Sequence, residues 1–542
     1  MDQTITKSPL KEYENSEILQ QLLKRVVAFR KGYRQNIALL GFKSTGKTAL
    51  IFNVLQRIKL TELIPIYLSI KPKPLDQFGY NFIGVLLFQT LRAAEQPLVD
   101  DFQYLLETGS AIIPRTTAAI QQILRQLKSK YCPADILGEL LHLPQILFDE
   151  TAKPVLMIFD EFHAMEQIGV PNPFLELSNR IMVQKNTMYI LISSAVSAAK
   201  EILATKLSLL FGNFELMELH PLNTAMSAAL LRDKMGEVDC SDLLREFLIE
   251  ICGGIPFYLD VVGEQLAQYC RAQPAKTVSE ALVLCACGDV LFKEHGILNQ
   301  YFTTRYAGLN ENSITELLRS VLTAVADGRH TAAQIAKRLG RKSADVSRCL
   351  NYLAAADMVS KRGVYFFIND RLFAYWLKFV LRNRQNSFNI EIYSESGGSA
   401  EAALGAYLQF FARETAAGCA QRLQSLFSAF DNAIIELDNK RFLLPHFESV
   451  SLKEAAWGHV LCGAAPGKSW SCFVCPALLD EAHAGEAILL LEGSSATKKI
   501  IAAAWGMDAN ARLKALEAKV LIWDLPVINE LCAIFDRPCF VV

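Results

Sequence analysis

The chain has 542 residues, of which 51% are hydrophobic and 20% charged, and its formal net charge at pH 7 is −1. Domains typically contain about 100–200 residues, so this length predicts three or four separate hydrophobic cores. The composition excludes extended disorder, and the balanced charge means that any contact with DNA requires a local basic patch.

The first 14 residues are polar and charged and lack the basic-then-apolar order of a secretion signal. The apolar runs are shorter than the roughly 20 residues that span a bilayer. An odd number of cysteines, thirteen, in a chain without a predicted secretion signal indicates reduced thiols. We therefore expect a cytoplasmic protein that does not bind or cross a membrane. Cys472 and Cys475 have the spacing of half a zinc site, but no second pair completes it, and both are predicted to be core residues of a strand.

In chain order, the first 220 residues predict strands that alternate with helices. The predicted strands are 36–40, 63–70, 155–159 and 188–193, and the predicted helices include 16–30, 49–60 and 173–183. This alternation predicts an α/β fold with a parallel sheet that is covered on both faces. From residue 221 the pattern becomes almost wholly helical, which predicts a helical lid on the sheet domain.

The Gly-rich turn after the first predicted strand has the spacing G-x-x-x-x-G-K-T. Its glycines let the backbone curl so that N–H groups face phosphate oxygens, and the following helix presents its positive end. Lys47 is predicted to bridge the β- and γ-phosphates and Thr48 to bind Mg²⁺. The residues expected to contact ATP in this loop are Gly41, Phe42, Lys43, Ser44, Thr45, Gly46, Lys47, Thr48 and Ala49.

Two acidic residues follow the apolar strand 155–159, at the strand end where open α/β sheets bind their ligands. Asp160 is predicted to hold Mg²⁺, and Glu161 to polarise the attacking water. The next strand ends in two serines, of which Ser194 is expected to sense the γ-phosphate or the water. With Lys47, these residues predict hydrolysis of Mg-ATP to ADP and phosphate.

These motifs resemble the archaeal-type ATPase family, a branch of the STAND/AAA+ P-loop NTPases related to the replication-initiator ATPases. The resemblance covers about residues 16–379 and rests on segments 41–48, 158–162, 193–194, 253–259 and 369–376. It implies an ATP-dependent switch with a lid, a winged helix and often a restriction-endonuclease-like C-terminal domain. In the lid, Gly254 and Pro256 form either a turn that contacts the nucleotide, as the resemblance implies, or a plain helix-breaking turn.

One departure from the family pattern concerns the region after the third strand. The family commonly has a Gly-Arg pair there, whereas this chain has Gly212 and Asn213. An arginine that acts across a homo-oligomer is therefore in doubt, and hydrolysis is expected to be slow. Arg180 is a substitute candidate, and the alternative is a solvated arginine at a helix end.

Residues 305–392 predict short helices, with a turn at Gly340, and a hairpin over 358–369, which together suggest a winged helix-turn-helix. Thr331 and Ser343 are expected N-caps. A local basic set provides the footprint for phosphate contact, and docking of a protein is the alternative. The residues predicted to contact DNA are Arg341, Lys342, Arg348, Asn351, Lys361 and Arg362.

A polar linker at 394–399 precedes a mixed α/β domain with predicted strands at 433–437, 442–448, 470–475, 487–491 and 520–523. In the nuclease type that the resemblance implies, an Asp on one strand precedes Glu-x-Lys on the next. Here 470–475 has no acid, and the next predicted strand leads to Glu492 without the lysine. We expect a degenerate nuclease-like domain or an interaction domain.

The sequence thus predicts four domains: an ATPase core at 1–220, a lid at 221–304, a winged helix at 305–392 and a C-terminal α/β domain at 393–542. The leading hypothesis is a switch that binds and hydrolyses ATP and couples nucleotide state to the binding of DNA or a protein partner. Two alternatives stay open: a regulatory scaffold or transcriptional regulator with little turnover, and an ATPase-controlled nuclease effector.

Overall fold

The computed structural model describes residues 17–59, 62–129, 132–208, 212–236, 238–272, 277–309, 315–381, 397–437 and 440–542. The chain forms two compact units, Met1–Pro221 (unit 1) and Leu222–Val542 (unit 2), and each is described by itself. Residues 394–396 of the predicted linker and Leu60 of the predicted helix 49–60 lie outside the described residues.

Unit 1 is built on a parallel five-stranded sheet with the order β2-β3-β4-β1-β5. Its strands are β1 (Asn36–Leu40), β2 (Ile64–Ser69), β3 (Val155–Asp160), β4 (Thr187–Ser193) and β5 (Phe214–Glu218). Every residue of β1, β3 and β4 is buried, as a parallel sheet covered on both faces requires. The first four strands confirm the sequence prediction. Strand β5 was not predicted, because its residues FELME include two glutamates and only Met217 is buried.

Helices cover both faces of this sheet. They are α1 (Glu17–Arg30), α2 (Lys47–Gln56), α3 (Leu75–Ala93), α4 (Phe102–Ile112), α5 (Pro114–Leu127), α6 (Pro133–Leu140), α7 (Leu143–Thr151), α8 (Pro173–Val183) and α9 (Val196–Glu201). A 3₁₀ helix spans Phe162–Gln167 and a π-helix spans Ile202–Lys206. The five helices α3 to α7 form an insertion between β2 and β3 and share one large apolar core with those strands.

Unit 2 begins with α10 (Thr224–Met235), α11 (Asp242–Cys252), α12 (Pro256–Ala272), α13 (Glu280–Leu291) and α14 (Ile297–Ala307). The turn between α11 and α12 packs against the start of this bundle, where Leu222 N donates to Gly254 O at 2.8 Å. Gly254 has a φ of +67°, and a Cβ there would lie 2.3 Å from Leu222 O. Packing alone therefore requires glycine at this position.

Three helices and an antiparallel hairpin follow. They are α15 (Thr315–Ala326), α16 (Ala332–Leu339), α17 (Ser343–Ala355), β6 (Val359–Arg362) and β7 (Tyr365–Ile368), and the chain continues into α18 (Arg371–Tyr375) and a π-helix (Trp376–Leu381). Thr331 and Gln334 form a capping box, which confirms that N-cap. The prediction for Ser343 is wrong: the helix begins one residue earlier than expected, with Lys342 at the N-cap position and no side-chain cap.

The C-terminal part of unit 2 contains a second five-stranded sheet, of order β10-β11-β12-β13-β14, beside a separate two-stranded hairpin. The hairpin is β8 (Ala433–Leu437) and β9 (Lys440–Leu444), and the sheet is β10 (Ser449–Ala455), β11 (Gly458–Ala465), β12 (Lys468–Val474), β13 (Lys498–Ala503) and β14 (Leu521–Asp524). Strands β10 to β12 pair antiparallel, and β12 to β14 pair parallel. The helices are α19 (Gly397–Phe427, interrupted at Gly418), α20 (Glu481–Glu492), α21 (Ala509–Glu517) and α22 (Leu525–Ile534).

The predicted strand at 487–491 is wrong, because these residues lie in α20. Asp480 caps this helix by accepting a hydrogen bond from His483 N, and residues 484, 487, 488 and 491 are buried at helical spacing. The strand that follows β12 is instead β13, so Glu492 ends a helix and does not occupy a nuclease strand. Among the described residues, no helix is long and apolar enough to cross a membrane.

Candidate functional site

The phosphate-binding loop connects β1 to α2 at the carboxyl edge of the unit 1 sheet. A Cβ at Gly41 would lie 2.5 Å from Leu219 O, and Gly46 has a φ of +93°, so both positions require glycine. Ser44, with a φ of +66°, completes the curl, and Thr45 Oγ1 donates to Phe42 O at 2.8 Å. The chain is therefore held in a tight loop that leads directly into the positive end of a helix.

Lys47 is the first residue of α2 and is only 6% exposed. Its ammonium group donates to Gly41 O and to Phe42 O, each at 2.7 Å. Burial lowers the pKa of Lys47 to about 8, and the nearby Glu161 and Asp160 partly oppose this shift. Neutral carbonyl groups are weak partners for a buried cation, so the site favours a phosphate that would take their place.

Strand β3 places Asp160 beside the loop. The carboxylate accepts hydrogen bonds from Thr48 Oγ1 at 3.2 Å and from Tyr67 OH at 2.5 Å. Burial raises the pKa of Asp160 above its ordinary value. A hydroxyl and a carboxylate this close supply the hard oxygen donors that Mg²⁺ prefers, so the residues present fit that ion.

Glu161 follows in a left-handed conformation, with a φ of +54°. Its Oε2 accepts a hydrogen bond from Ser194 N at 2.9 Å and lies 3.4 Å from His163 Nδ1. The same His163 nitrogen lies 2.8 Å from Ser193 Oγ. The structure thus joins the ends of β3 and β4 through a polar cluster, in which Ser193 contributes its hydroxyl and Ser194 its backbone N–H.

Tyr67 and His163 were missed by the sequence analysis, and Ser193 was considered there only as one of two serines, of which Ser194 was preferred. Tyr67 reaches Asp160 because β2 pairs with β3 in a register that places Ser69 opposite Asp160. His163 belongs to the short 3₁₀ helix after β3, which the sequence did not predict. The only usable signal was the position of these polar residues near strand ends, because strand order depends on helical crossovers that sequence patterns do not specify.

The other predicted nucleotide contacts stand as follows. Thr48 and Ala49 continue the first turn of α2, while Gly254 and Pro256 belong to unit 2 and stay a prediction as nucleotide contacts. Arg180 lies in the last turn of α8, which leads into the amino end of β4. It therefore lies toward the sheet edge opposite the phosphate loop.

Asn213 precedes β5, and its carbonyl accepts a hydrogen bond from Gln35 Nε2 at 3.3 Å. The residues before Gly212 in the segment that departs from the family pattern, Leu210 and Phe211, lie outside the described residues.

The residues predicted to contact DNA differ in their surroundings. Those that the structure leaves exposed are Arg341, Lys342, Arg348, Asn351 and Lys361. Arg348 forms an ion pair with Asp345 while 79% of its side chain remains exposed, and Lys361 Nζ lies 5.6 Å from the centroid of the Phe366 ring.

Arg362 differs from the rest of the set. Its Nε and Nη2 donate to the two carboxylate oxygens of Glu530 at 2.8 and 2.7 Å. The neighbouring Gly363 packs so closely that a Cβ would lie 2.3 Å from Ile434 O, and Val364 N donates to that oxygen at 3.1 Å. The tip of the β6–β7 hairpin is therefore packed against the C-terminal part of unit 2, and contact of Arg362 with DNA would compete with this ion pair.

In the second sheet, the adjacent antiparallel strands β11 and β12 carry no carboxylate. Strand β11 consists of GHVLCGAA and β12 of KSWSCFV. Within the described part of the chain, no group of three or more His, Cys, Asp or Glu side chains is arranged to hold a metal ion. Cys472 and Cys475 are completely buried, and burial raises the pKa of both thiols, that of Cys475 to about 12.

Comparison with solved structures finds similarity to a Walker-type ATPase of Pyrococcus abyssi, at 15% identity and a TM-score of 0.45, over 67% of this chain and 95% of that one. The ORC2 protein of Aeropyrum pernix, in ADPNP–ADP complexes, is similar at 14% identity and a TM-score of 0.43, over 72% and 93%. The Holliday junction branch migration motor RuvB of Thermotoga maritima is similar at 13% and 0.31, over 68% and 97%. No protein-family model and no curated protein matches the sequence.

Strands β1, β3 and β4 are parallel, and β4 lies between β1 and β3. The phosphate loop after β1 and the acidic pair at the end of β3 therefore lie at the same carboxyl edge of the sheet, where open α/β sheets bind their ligands. Unit 1 has the α/β fold of a P-loop NTPase.

Proposed function

We propose that the protein is an ATP-dependent molecular switch of the AAA+/STAND type. The observation that carries this proposal is the convergence of Lys47, Thr48, Asp160 and Glu161 at the carboxyl ends of β1 and β3, with Thr48 and Asp160 already in hydrogen-bond contact. Phosphoryl transfer from ATP requires a lysine on the phosphates, a glycine-rich loop around them, and carboxylates for Mg²⁺ and for the attacking water. These groups are all present here.

In this proposal the loop N–H groups and Lys47 bind the β- and γ-phosphates. Thr48 and Asp160 hold Mg²⁺, which supplies charge neutralisation at the phosphate oxygens when bound. Glu161 orients and polarises the attacking water, and the Ser193–His163 pair lies beside it to respond to the γ-phosphate. Gly254 and Pro256 are retained as proposed nucleotide contacts from the lid.

Slow turnover is the second candidate, and two observations favour it. Glu161 Oε2 accepts a hydrogen bond from Ser194 N at 2.9 Å, which restrains the carboxylate and takes up part of its capacity to accept hydrogen bonds from water. Asn213 also stands where the resemblance implies an arginine. Both features suit a nucleotide-dependent regulator that occupies its ATP state for long periods, and in an oligomer Arg180 of a neighbouring molecule is the proposed source of a cation.

We assign the output of the switch to the module of α15 to α17 and the β6–β7 hairpin, proposed as a winged helix within residues 305–392. Its exposed basic residues favour the phosphate backbone of DNA, and a protein partner remains the alternative. The remaining proposed divisions are a core at 1–220, a lid at 221–304 and a C-terminal domain at 393–542. Because β11 and β12 lack carboxylates, we do not propose nuclease activity.

Calorimetric titration of the full chain with Mg-ATP tests the proposal. Lys47→Ala should remove tight binding, since the loop backbone alone does not neutralise the triphosphate. Lys59→Ala, a substitution of an exposed lysine just after α2, is the matched control and should bind as the wild type. Unchanged affinity in the Lys47 variant would show that the loop is not the ATP site.

A further inference from the structure

Unit 2 contains a cavity of about 330 Å³ that the proposed switch does not use. It lies where α11, α15, β7, α19 and α22 meet the segment formed by α18 and the π-helix after it. Cavities that bind small molecules typically measure about 300–1,000 Å³ and combine apolar walls with a few polar groups. This cavity is large enough for a ligand of modest size.

The walls of the cavity are rich in aromatic side chains. The aromatic residues that line it are Phe367, Tyr375, Phe379, Tyr407 and Phe410. The rings of Tyr375 and Phe379 lie 4.6 Å apart between centroids. Aromatic faces favour stacked or edge-on contact with another ring, so the walls suit a planar aromatic group.

Charged groups of both signs also line the cavity, but they do not balance. Glu250 has a fully buried side chain, and its carboxylate pairs with Arg371 and accepts a hydrogen bond from Tyr407 OH at 2.9 Å. That pair neutralises itself. The other charged lining residues are Lys378, Arg537 and Asp536. Arg537 Nη1 lies 3.7 Å from Glu414 Oε1, and the side chain of Asp536 is 58% exposed. Counted together, the lining residues hold three cationic side chains (Arg371, Lys378 and Arg537) and two carboxylates (Glu250 and Asp536), a net charge of +1 to which Lys378 contributes.

The segment that carries Lys378 is a π-helix, Trp376–Leu381. Such segments are rare and occur frequently at functional sites. Trp376 anchors this one, since it is 1% exposed and its Nε1 donates to Asn299 Oδ1 at 2.9 Å. Lys378 and Phe379, two and three residues further along, line the cavity, and the Lys378 ammonium group lies 5.4 Å from the Phe379 ring centroid. A cation and an aromatic face are thus presented together.

We propose that this cavity binds a small aromatic anion, with its ring against the aromatic walls and its sulfonate, carboxylate or phosphate group against Lys378. Neither the ATP site nor the basic surface of the helix–hairpin module is required for this binding. The ligand would contact α11, the β6–β7 hairpin and the C-terminal helices at once, and would stabilise unit 2 by mass action.

Titration of the full chain with anilinonaphthalene sulfonate, followed by fluorescence, tests the proposal, with neutral N-phenyl-1-naphthylamine as the matched probe. Lys378→Met should weaken binding of the anion by about fivefold or more, as loss of a partly buried charge contact predicts, and should change binding of the neutral probe less than twofold. Lys453→Met, on an exposed lysine of β10, should alter neither.

Filling the cavity provides an independent arm. Ala374→Phe, or Ala533→Leu if the first variant loses its circular dichroism spectrum, should abolish binding of both probes. Displacement by adenosine monophosphate or by 1-naphthoate would identify a phosphate or a carboxylate as the preferred anion. If neither displaces the probe, a sulfonate is the preferred anion. The proposal is overturned if both filled variants fold and bind as the wild type, or if Lys378→Met matches Lys453→Met. Unchanged binding in all of these variants would mean that the probe binds outside the cavity, as at the exposed Leu489 of α20 and Leu513 of α21.

Discussion

The strongest single-site effect on stability is expected at Asp370, the second residue of the Asn369–Trp376 segment of the family resemblance. Its carboxylate is 9% exposed and accepts hydrogen bonds from Tyr258 OH at 2.6 Å and Arg305 Nη1 at 2.5 Å. Its other oxygen caps α18 by accepting from Phe373 N at 3.0 Å. One side chain thus connects the lid helices to the segment that follows the hairpin.

Asp370→Asn keeps the shape and the helix cap but leaves the Arg305 guanidinium, 17% exposed, without its counter-charge. Breaking a buried ion pair from one side costs about 3–5 kcal/mol, and because Arg305 is slightly exposed we expect a loss of about 3 kcal/mol. Asp345→Asn is the matched control, because its partner Arg348 has a side chain 79% exposed and such pairs contribute about 0–1 kcal/mol.

The assay is urea unfolding of the full chain, followed by tryptophan fluorescence. A chain of several domains need not unfold in two states, so the midpoint and the denaturant slope (m-value) are compared for each transition. Replacing Arg305 with Met in the Asp370→Asn background should recover at least half of the loss, since the unpaired charge is then gone. If Asp370→Asn destabilises no more than Asp345→Asn, or if the second change adds to the damage, the ion pair is not the source of stability.

Three further predictions concern the nucleotide and DNA sites. Glu161→Gln should keep ATP affinity and lower steady-state turnover by about 10²-fold or more. The control Glu166→Gln, at an exposed glutamate paired with Lys206, should leave turnover unchanged. If turnover survives in the Glu161 variant, another residue positions the attacking water. ATP affinity should fall as pH rises through about 8, because unliganded Lys47 then loses the proton that the triphosphate needs; a flat calorimetric profile between pH 7 and 9 would contradict this. Salt titration of DNA binding should lose slope, by about 0.9 per phosphate contact, on charge reversal at Arg341, Lys342 and Arg348. Arg362→Gln should leave that slope nearly unchanged because Glu530 already neutralises the arginine. If Arg362→Gln instead lowers the slope by as much per residue as the charge reversals do, the hairpin tip contacts DNA.

The sequence by itself determined the phosphate loop, the acidic pair and four of the five strands of unit 1. Each of these signals is local: glycine spacing, a run of buried apolar residues such as 155–159, or an acid at a strand end. A local pattern needs no knowledge of which strands are neighbours. The helix–hairpin module followed from the same kind of signal, including the N-cap at Thr331.

Only the tertiary structure decided which residues complete the site and which surfaces are available. Tyr67 reaches Asp160, and Ser193 reaches His163, because the strand order β2-β3-β4-β1-β5 and its register bring together residues separated by 30 to 93 positions. Residues 487–491 form a helix because Asp480 caps it and its apolar face packs on the sheet, although a short apolar run fits either structure. Arg362 is withdrawn from the basic set by Glu530, 168 residues away. Contacts over such distances depend on the path of the whole chain, and no local pattern encodes that path.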